Sequence, residues 1–497
     1  MSWAVTGNNQ TIDLSAIPVK TAVGLRSEII EQCGRGAHPV AFFGHKLDSG
    51  VRLFVILAND PRSELLAASV IFAENEKSYP SITSEIPGFY LFEREFFEET
   101  GIKPEGHPWL KPVRFSHNRA DRSAGMADYP FFKVEGESVH EVAVGPVHAG
   151  VIEPGHFRFM CSGEKVHHLE IHLGYQHRGI EPMMADGSIW KKSKLVESIT
   201  GDSAIANSLA YSSLLESASG MEVSARASAI RALALELERV ALHMSSLGGL
   251  CADVGDLTGN TFFGATRTYV INSLLDICGS RFGYSLIRPG GVNFNIDAEL
   301  SAKLLKTLEM VRERVFLIGE RTFNMPGVLS RFQHTGIVDF KTAEKINMVG
   351  ITARASGLKR DVRADHPFGF YRLYPAYKLT LDSGDVFARA YMRYLEAKRS
   401  LGYLIDLLSG LPPGAQLLAE RGSLKPDSMT VSMVEGPRGE LVHVMLTGAD
   451  GEAVRYKFKD PSFNNWFALA LAVRGEGVSD FPICNKSFDL SYCGHDL

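Results

Sequence analysis

The sequence predicts an α+β protein, with a small N-terminal α/β domain ahead of a mainly helical domain that carries a small β portion. Three observations predict it. An apolar, β-branched run, Val51-Arg52-Leu53-Phe54-Val55-Ile56-Leu57, lies between two helical segments near the N-terminus. Two long segments, 221–247 and 383–409, repeat apolar residues at helical spacing. Between residues 429 and 458 the pattern turns to strands around a tight turn.

The elements follow in order. Residues 22–33 read as a helix ahead of the first strands. An amphipathic helix runs from Phe92 through Phe92-Glu93-Arg94-Glu95-Phe96-Phe97-Glu98-Glu99-Thr100, with Gly101 placed to cap it. Residues 116–128 are polar and charged and read as linker chain. The expected division is a domain over 1–125, a linker over 126–140 and a second domain over 141–497. In that domain, Gly248-Gly249 is placed to end the Ala- and Leu-rich helix 221–247. Ser383 or Asp385 can cap the helix that Gly410-Leu411-Pro412-Pro413 stops. Its residues Val386, Phe387, Ala390, Tyr391 and Tyr394 form a core stripe. Strands 441–446 and 454–458 flank Asp450-Gly451, a hairpin signal.

Composition excludes several classes. At 497 residues the chain has room for two to four domains of about 100–200 residues each. A net charge of −5 without a basic patch argues against nucleic acid and against direct lipid binding. No apolar run approaches the roughly 18 residues of a membrane span, so membrane association is expected through partners. The cysteines (33, 161, 251, 278, 484 and 493) form no C-x-x-C pair, so neither a zinc knuckle nor an iron–sulfur motif is present. Their scatter, and an N-terminus without a basic then apolar leader, point to reduced thiols in the cytoplasm. No G-x-G-x-x-G follows a strand, so no dinucleotide site is expected. His243 and His334 are lone histidines and read as structural.

Motifs carry more. Phe92-Glu93-Arg94-Glu95 and Gly101-Ile102-Lys103-Pro104-Glu105-Gly106-His107-Pro108 resemble the signature of the complex I 30 kDa subunit family. From about residue 142 onward the chain resembles the complex I 49 kDa subunits, relatives of nickel–iron hydrogenase large subunits. The segments carrying this are Gly145-Pro146-Val147-His148, Leu173-Gly174-Tyr175-Gln176-His177-Arg178-Gly179-Ile180-Glu181, Glu236-Leu237-Glu238-Arg239, Arg288-Pro289-Gly290-Gly291-Val292, Gly384-Asp385-Val386 and Glu435-Gly436-Pro437-Arg438-Gly439-Glu440, in the family order. The fusion of the two resembles large subunits of the hydrogenase-3 and hydrogenase-4 type.

Residues 200–211 resemble the first nickel-binding motif, C-G-x-C-x-x-A-H-S-L-A-Y, with Thr200 and Ser203 at the cysteine positions. Residues 487–494 resemble the second, D-P-C-x-x-C, with Ser491 and Gly494 there. Hydroxyls are hard donors that stay protonated near neutral pH, and glycine offers no ligand, so these positions argue against a nickel–iron centre. Cys493 and Cys484 lie nearby but do not rebuild four thiolates. In the 49 kDa family a histidine and a tyrosine contact the quinone headgroup. Gap-free alignment puts Ile152 and Gly201 there, neither of which has a side-chain donor, with His148 and His156 as possible substitutes, so quinone stays a candidate only.

The resemblance implies a proton-passing role for Glu153, against the alternative of a surface carboxylate in a turn. It implies a place for His177, Arg178 and Glu181 at an interface with an iron–sulfur partner, or in ion pairs that hold the fold. Arg360 and Asp361, in the run Arg360-Asp361-Val362-Arg363-Ala364-Asp365, line the cavity or pair among themselves, and Glu435 and Arg438 brace a turn near the same cleft.

The function implied is that of the large subunit of a membrane-associated, complex I-like or hydrogenase-4-like oxidoreductase that couples electron transfer to proton or ion movement without nickel. Its expected partners are a small iron–sulfur subunit holding a 4Fe-4S cluster, and membrane-embedded complex I-like and antiporter-like subunits. Its expected place is the cytoplasmic side of the membrane. An atypical hydrogenase or quinone reductase subunit, and a non-catalytic scaffold, remain the alternatives.

Overall fold

A computed structural model describes residues 3–148, 152–417 and 422–497. The N-terminal part is built on an antiparallel sheet of order β1-β5-β4-β3, from β1 (Ala4–Thr6), β3 (His38–Leu47), β4 (Gly50–Asn59) and β5 (Glu64–Ala73). The run 51–57 forms the middle of β4. It is buried from Leu53 onward, because α1 (Ala22–Gly34) and α2 (Tyr90–Thr100) cover one face and the second domain the other. Across the register Phe43 pairs with Phe54, rings stacked at 5.6 Å. Gly101 takes the left-handed conformation (φ 75°) at the end of α2, as expected. Short parallel strands β6 (Ser78–Pro80) and β7 (Lys103–Glu105) close this region.

The strand β2 (Gln10–Asp13) leaves the first sheet. It pairs with β13 (Ser428–Glu435), at the edge of a sheet completed by β14 (Glu440–Thr447) and β15 (Ala453–Lys459). Asn8 fixes the crossover by gripping both the N–H and the C=O of Met433, at 2.8 and 2.9 Å. The apolar core is therefore continuous between the first sheet and the helices.

Ahead of the helices lies a three-stranded meander of β8 (His140–Val144), β9 (His156–Ser162) and β10 (Lys165–His172), which the sequence reading does not contain. Short helices α3 (Ile180–Ala185) and α4 (Ser193–Glu197) lead to α5 (Ala204–Ser219) beneath the β13–β14 sheet. The long helices α6 (Ala225–Asp253), α7 (Leu257–Cys278), α8 (Ala298–Thr322) and α13 (Val386–Ser409) form the bundle. The paired β11 (Ile287–Arg288) and β12 (Gly291–Val292) link α7 to α8. Between α8 and α13 come α9 (Pro326–Phe332), α10 (Phe340–Lys345), α11 (Gly350–Ala355) and α12 (Val362–Asp365). The chain ends in α14 (Pro461–Ala472), α15 (Phe481–Phe488) and α16 (Tyr492–Asp496). None of the described helices is long and apolar enough to cross a membrane.

One expected terminus moves. The helix 221–247 starts at Ala225, capped by Ser224, and runs through Gly248-Gly249 to Asp253. The left-handed residue that ends it is Gly255 (φ 77°). Gly248 and Gly249 instead let neighbours close in: a Cβ on Gly248 would sit 3.4 Å from the Asn260 carbonyl, and one on Gly249 2.9 Å from the Lys486 side chain. Asp385 caps α13 by accepting from Ala388 N–H at 2.8 Å, and Ser383 donates to Asp385. The stripe on α13 is core: Val386, Ala390 and Tyr394 are buried, while Phe387 and Tyr391 stack on each other beside Phe323.

Gly319 on α8 meets the Tyr394 ring of α13, where a Cβ would lie 2.1 Å from a ring carbon. Gly319→Ala is expected to destabilise the protein by about 1–3 kcal/mol through overpacking. Gly264→Ala on the open face of α7, where nothing lies within 4 Å, is expected to stabilise by about 0.5–1 kcal/mol. Denaturant midpoints of the two variants measure the opposite signs.

Candidate functional site

Four segments converge around the two degenerate motifs: the chain after β8, the loop before α5, the β13–β14 turn and the last helix. Thr200 is buried, and its hydroxyl accepts from Asn207 Nδ2 at 3.3 Å. Asn207 also donates to the Ser203 carbonyl at 2.8 Å and faces His443, so α5 begins in a closed polar knot. Ser491 caps α16, its Oγ accepting from Gly494 N–H at 2.9 Å. Its own N–H is held by Ser462 Oγ at the start of α14. Glu153, half-buried, accepts from Cys493 N–H at 3.4 Å, which brings it against the second motif.

Arg438 bridges the motifs. Its guanidinium grips Asp202 in a two-pronged pair at 2.8 and 2.7 Å and donates to Ser203 Oγ at 3.3 Å. Its Nε donates to the Asp489 carbonyl. Burial would raise the Asp202 carboxyl, but Arg438 beside it holds it below the usual range. The fourth ligand position is closed as well: a Cβ on Gly494 would lie 2.7 Å from the Asp460 carboxyl. Burial raises the Asp460 carboxyl.

The donor set does not fit nickel and iron. Soft-metal sites need thiolates. Here burial and the Glu153 carboxylate push the Cys493 thiol up to about 11, and burial pushes Cys484 up to about 12. A guanidinium stands between the motifs, and a charged arginine coordinates no cation. At the positions aligned with quinone contacts, Ile152 and Gly201 are exposed, and the Gly201 carbonyl accepts from Tyr284 OH. His148 and His156 are bound to the main chain at Gly155 and Gly145.

The remaining candidates lie elsewhere. His177 Nδ1 bonds the Asp496 carbonyl at 2.7 Å, and Arg178 donates to the carbonyls of Ser198, Ile199 and Cys493, so Arg178 ties the last helix to the loop before α5. Glu181 joins a buried ion cluster with Arg455 (2.9 Å) and Lys457 (2.9 Å). Lys457 also meets Glu95 of the Phe92-Glu93-Arg94-Glu95 run at 2.6 Å, and Glu95 pairs with Arg114. This cluster lines a cavity of about 550 Å³ between the two parts of the chain. Burial would raise Glu181, but Lys457 and Arg455 hold it down to about 2.

Arg360, Asp361 and Glu435 belong to the interior. Asp361 is buried and pairs with Arg363 (2.7 Å) and Arg354 (3.3 Å), so the run 360–365 pairs partly within itself and partly with α11. Arg360 reaches Asn347 at 2.8 Å. Glu435 accepts from Arg354 at 2.7 Å and from Val362 N–H at 3.1 Å. Glu435 and Arg438 thus leave their shared turn in opposite directions.

Sequence reasoning missed Asp202, Asp460 and Glu238. Asp202 stands at the variable position of the first motif, and Asp460-Pro461 is a helix-start signal that marks the cap but not its neighbour Gly494. Glu238 faces the start of α5, accepting from Ile205 and Ala206 N–H at 2.7 and 3.1 Å. Burial outweighs these two bonds and pushes its carboxyl up to about 8.

Residues 253–422 and 415–496 match the family described as respiratory-chain NADH dehydrogenase, 49 Kd subunit, and residues 39–123 match the 30 Kd subunit family. The chain is 31% identical to hydrogenase-4 component G of Escherichia coli (strain K12), over 84% of this chain and 76% of that protein. The chain belongs to the hydrogenase large subunit and complex I 49 kDa subunit family, with the 30 kDa domain fused ahead of it. It is also 29% identical to formate hydrogenlyase subunit 5 of the same organism, over 97% of this chain and 89% of that one. Among solved structures, a chain of the membrane-bound sulfane sulfur reductase (MBS), an archaeal respiratory membrane complex, shares the fold with a TM-score of 0.68 at 23% identity. That match covers 72% of this chain and 99% of the other.

Two outcomes are expected. Gly494→Ala, which drives a Cβ into the Asp460 carboxyl, should cost about 1–3 kcal/mol in a denaturant titration. Glu238 is protonated in the folded chain up to about 8, against 4.5 ordinarily, so its contribution is full below about pH 4.5 and lost as pH rises through about 8. Melting curves should therefore fall less steeply between about pH 5 and 8 in Glu238→Gln than in the parent chain.

Proposed function

We propose that this chain is the large subunit of a membrane-associated, complex I-like oxidoreductase that couples electron transfer to proton or ion movement and works without a nickel–iron centre. The observation that carries the reading is the Arg438–Asp202 pair, which spans the two motifs where the family's ligands would stand. Family membership supplies the frame, and the closed ligand positions argue against hydrogenase chemistry within it.

The residues present hold and move charge. Arg438 is a fixed cation ringed by Asp202, the Asp489 carbonyl and the Ser203 hydroxyl. Glu153 stands at the rim, where its carboxylate can pass a proton between solvent and the polar groups of the last helix. The electron carrier would be a 4Fe-4S cluster in a small iron–sulfur partner. The remaining partners would be membrane-embedded and antiporter-like subunits, with the chain on the cytoplasmic side.

The test is made on the purified complex. Metal analysis should find iron without stoichiometric nickel, and hydrogen should not drive dye reduction; nickel at one per chain would overturn the reading. Glu153→Gln should lower turnover and ion movement together by about 10²-fold or more, as for loss of a positioned proton carrier. Unchanged turnover and ion movement would make the chain a scaffold for its iron–sulfur partner.

A further inference from the structure

At the centre of the second domain four carboxyls (Glu236, Asp361, Glu396, Glu435) meet three guanidiniums (Arg239, Arg354, Arg363). All seven are buried. Glu396 takes Arg354 at 2.9 Å, Arg363 at 2.5 Å and His243 at 2.7 Å. Glu236 takes Arg239 at 3.2 Å, with hydroxyls from Tyr371 and Ser400 at 2.5 Å. Asp361 takes Arg363 and Arg354. Glu435 has one guanidinium contact, Arg354, and one N–H. Four carboxylates against three cations leave one negative charge uncompensated among buried side chains, a costly state that a bound proton relieves.

Glu236, Asp361 and Glu396 line a cavity of about 230 Å³ on one side of the cluster. Glu435, with Asp361, lines a second, small cavity of about 10 Å³, room for about one water. His38 and His366 line the same cavity. Both are nearly fully buried, at 3% and 2% exposure, and the Nδ1 of each has no hydrogen-bond partner. Their other ring nitrogens are engaged, His366 Nε2 with Asp60 at 3.0 Å and His38 Nε2 with Glu440 at 3.1 Å. Asp60 lies 3.6 Å from His38 and 3.7 Å from Arg360. Lys459 neutralises Glu440 at 2.5 Å. Asp365, paired with Lys378, completes the charged groups around the cavity.

We propose that Glu435 is a proton-loading site, exchanging its proton through a water in this cavity with the His366–Asp60 pair of the 30 kDa–49 kDa junction. The step is a proton transfer only. The Glu435 O–H gives its proton to the water, the water hands one to His366 Nδ1, and Glu435 remains as a carboxylate paired with Arg354. Consistent with this, burial and the neighbouring Asp361 carboxylate hold the Glu435 carboxyl up to about 7 against Arg354 and Arg363. The other three carboxyls of the cluster are held below the usual range against burial, Glu236 chiefly by Arg239 and the other two chiefly by Arg363. The use of this proton in coupling rests on the function proposed above; the loading itself is a property of the resting chain.

Infrared titration of the full chain reads it directly, without turnover, so a complex that moves no ions leaves the result intact. Native chain should show a carboxyl C=O component lost with a midpoint near pH 7. Glu435→Gln should remove that component and Glu238→Gln should leave it; its persistence in Glu435→Gln overturns the proposal. Should Glu435→Gln fail to fold, Asp361→Asn is the deciding variant: the midpoint should fall by about one pH unit as the neighbouring charge disappears, and a stationary midpoint overturns the assignment. His366→Phe should slow deuterium exchange of the component by on the order of tenfold or more, and unchanged exchange overturns the relay through His366.

Discussion

The fold turns on a set of buried charges. Arg354 on α11, Arg363 on α12, Arg239 on α6 and Glu396 on α13 are nearly or wholly buried, and they meet at one point. Such a core is a poor source of net stability, because desolvation offsets most of the attraction. Its consequence is geometric. Once the charges are buried, each must find its partner, so the four helices have one arrangement that satisfies all of them. Arg239 extends the constraint to the sheet by donating to the carbonyls of Glu435 and Gly436, which places the turn that carries Arg438.

The degenerate site uses the same chemistry on a smaller scale. A metal held by four thiolates would cross-link the loop before α5 to the C-terminal segment. Here Arg438 makes that link by itself, gripping Asp202 on one side and Asp489 on the other. Asp460 takes the room next to Gly494 that a fourth ligand would need. Arg178 adds a second clasp, from the carbonyls of Ser198 and Ile199 to that of Cys493. The loss of ligands therefore left no loose ends in the scaffold.

What could be read from the sequence was what is local. The α2 cap at Gly101, the Asp385 cap of α13 and the apolar run in β4 all follow from spacing within one segment. Gly248-Gly249 misled because a glycine pair signals equally a helix end and a close helix contact, and only the partner, here Asn260 and Lys486, distinguishes them. The run 360–365 could be read as lining the cavity or pairing within itself, but its outside partners were hidden because they lie 33 and 127 positions away, as with Arg363 to Glu396 and Glu236. The motif positions Thr200, Ser203, Ser491 and Gly494 were legible as departures, and Arg438 as a residue near the cleft; its partner Asp202, and Asp460 beside Gly494, were not, because no pattern within a segment records what crosses between segments.

This bears on how a metal site can be lost without losing the protein. Removing ligands one at a time from a buried cation site leaves carboxylates or thiolates uncompensated, a penalty that grows as burial deepens. A guanidinium can take over the cation's electrostatic duty, because it is always charged and meets a carboxylate along two parallel bonds. It cannot take over the redox or acid duty, since it neither changes oxidation state nor gives up its proton near neutral pH. Any proton traffic must then pass to other groups, and burial raises two carboxyls beside this frame, Glu238 behind α5 and Glu435 at the junction of the two parts. Arg239 runs between the two, adjacent to Glu238 in sequence and bonded to the main chain of Glu435. The fixed cations hold the frame, and under the proposed function the carboxyls beside them would carry the protons.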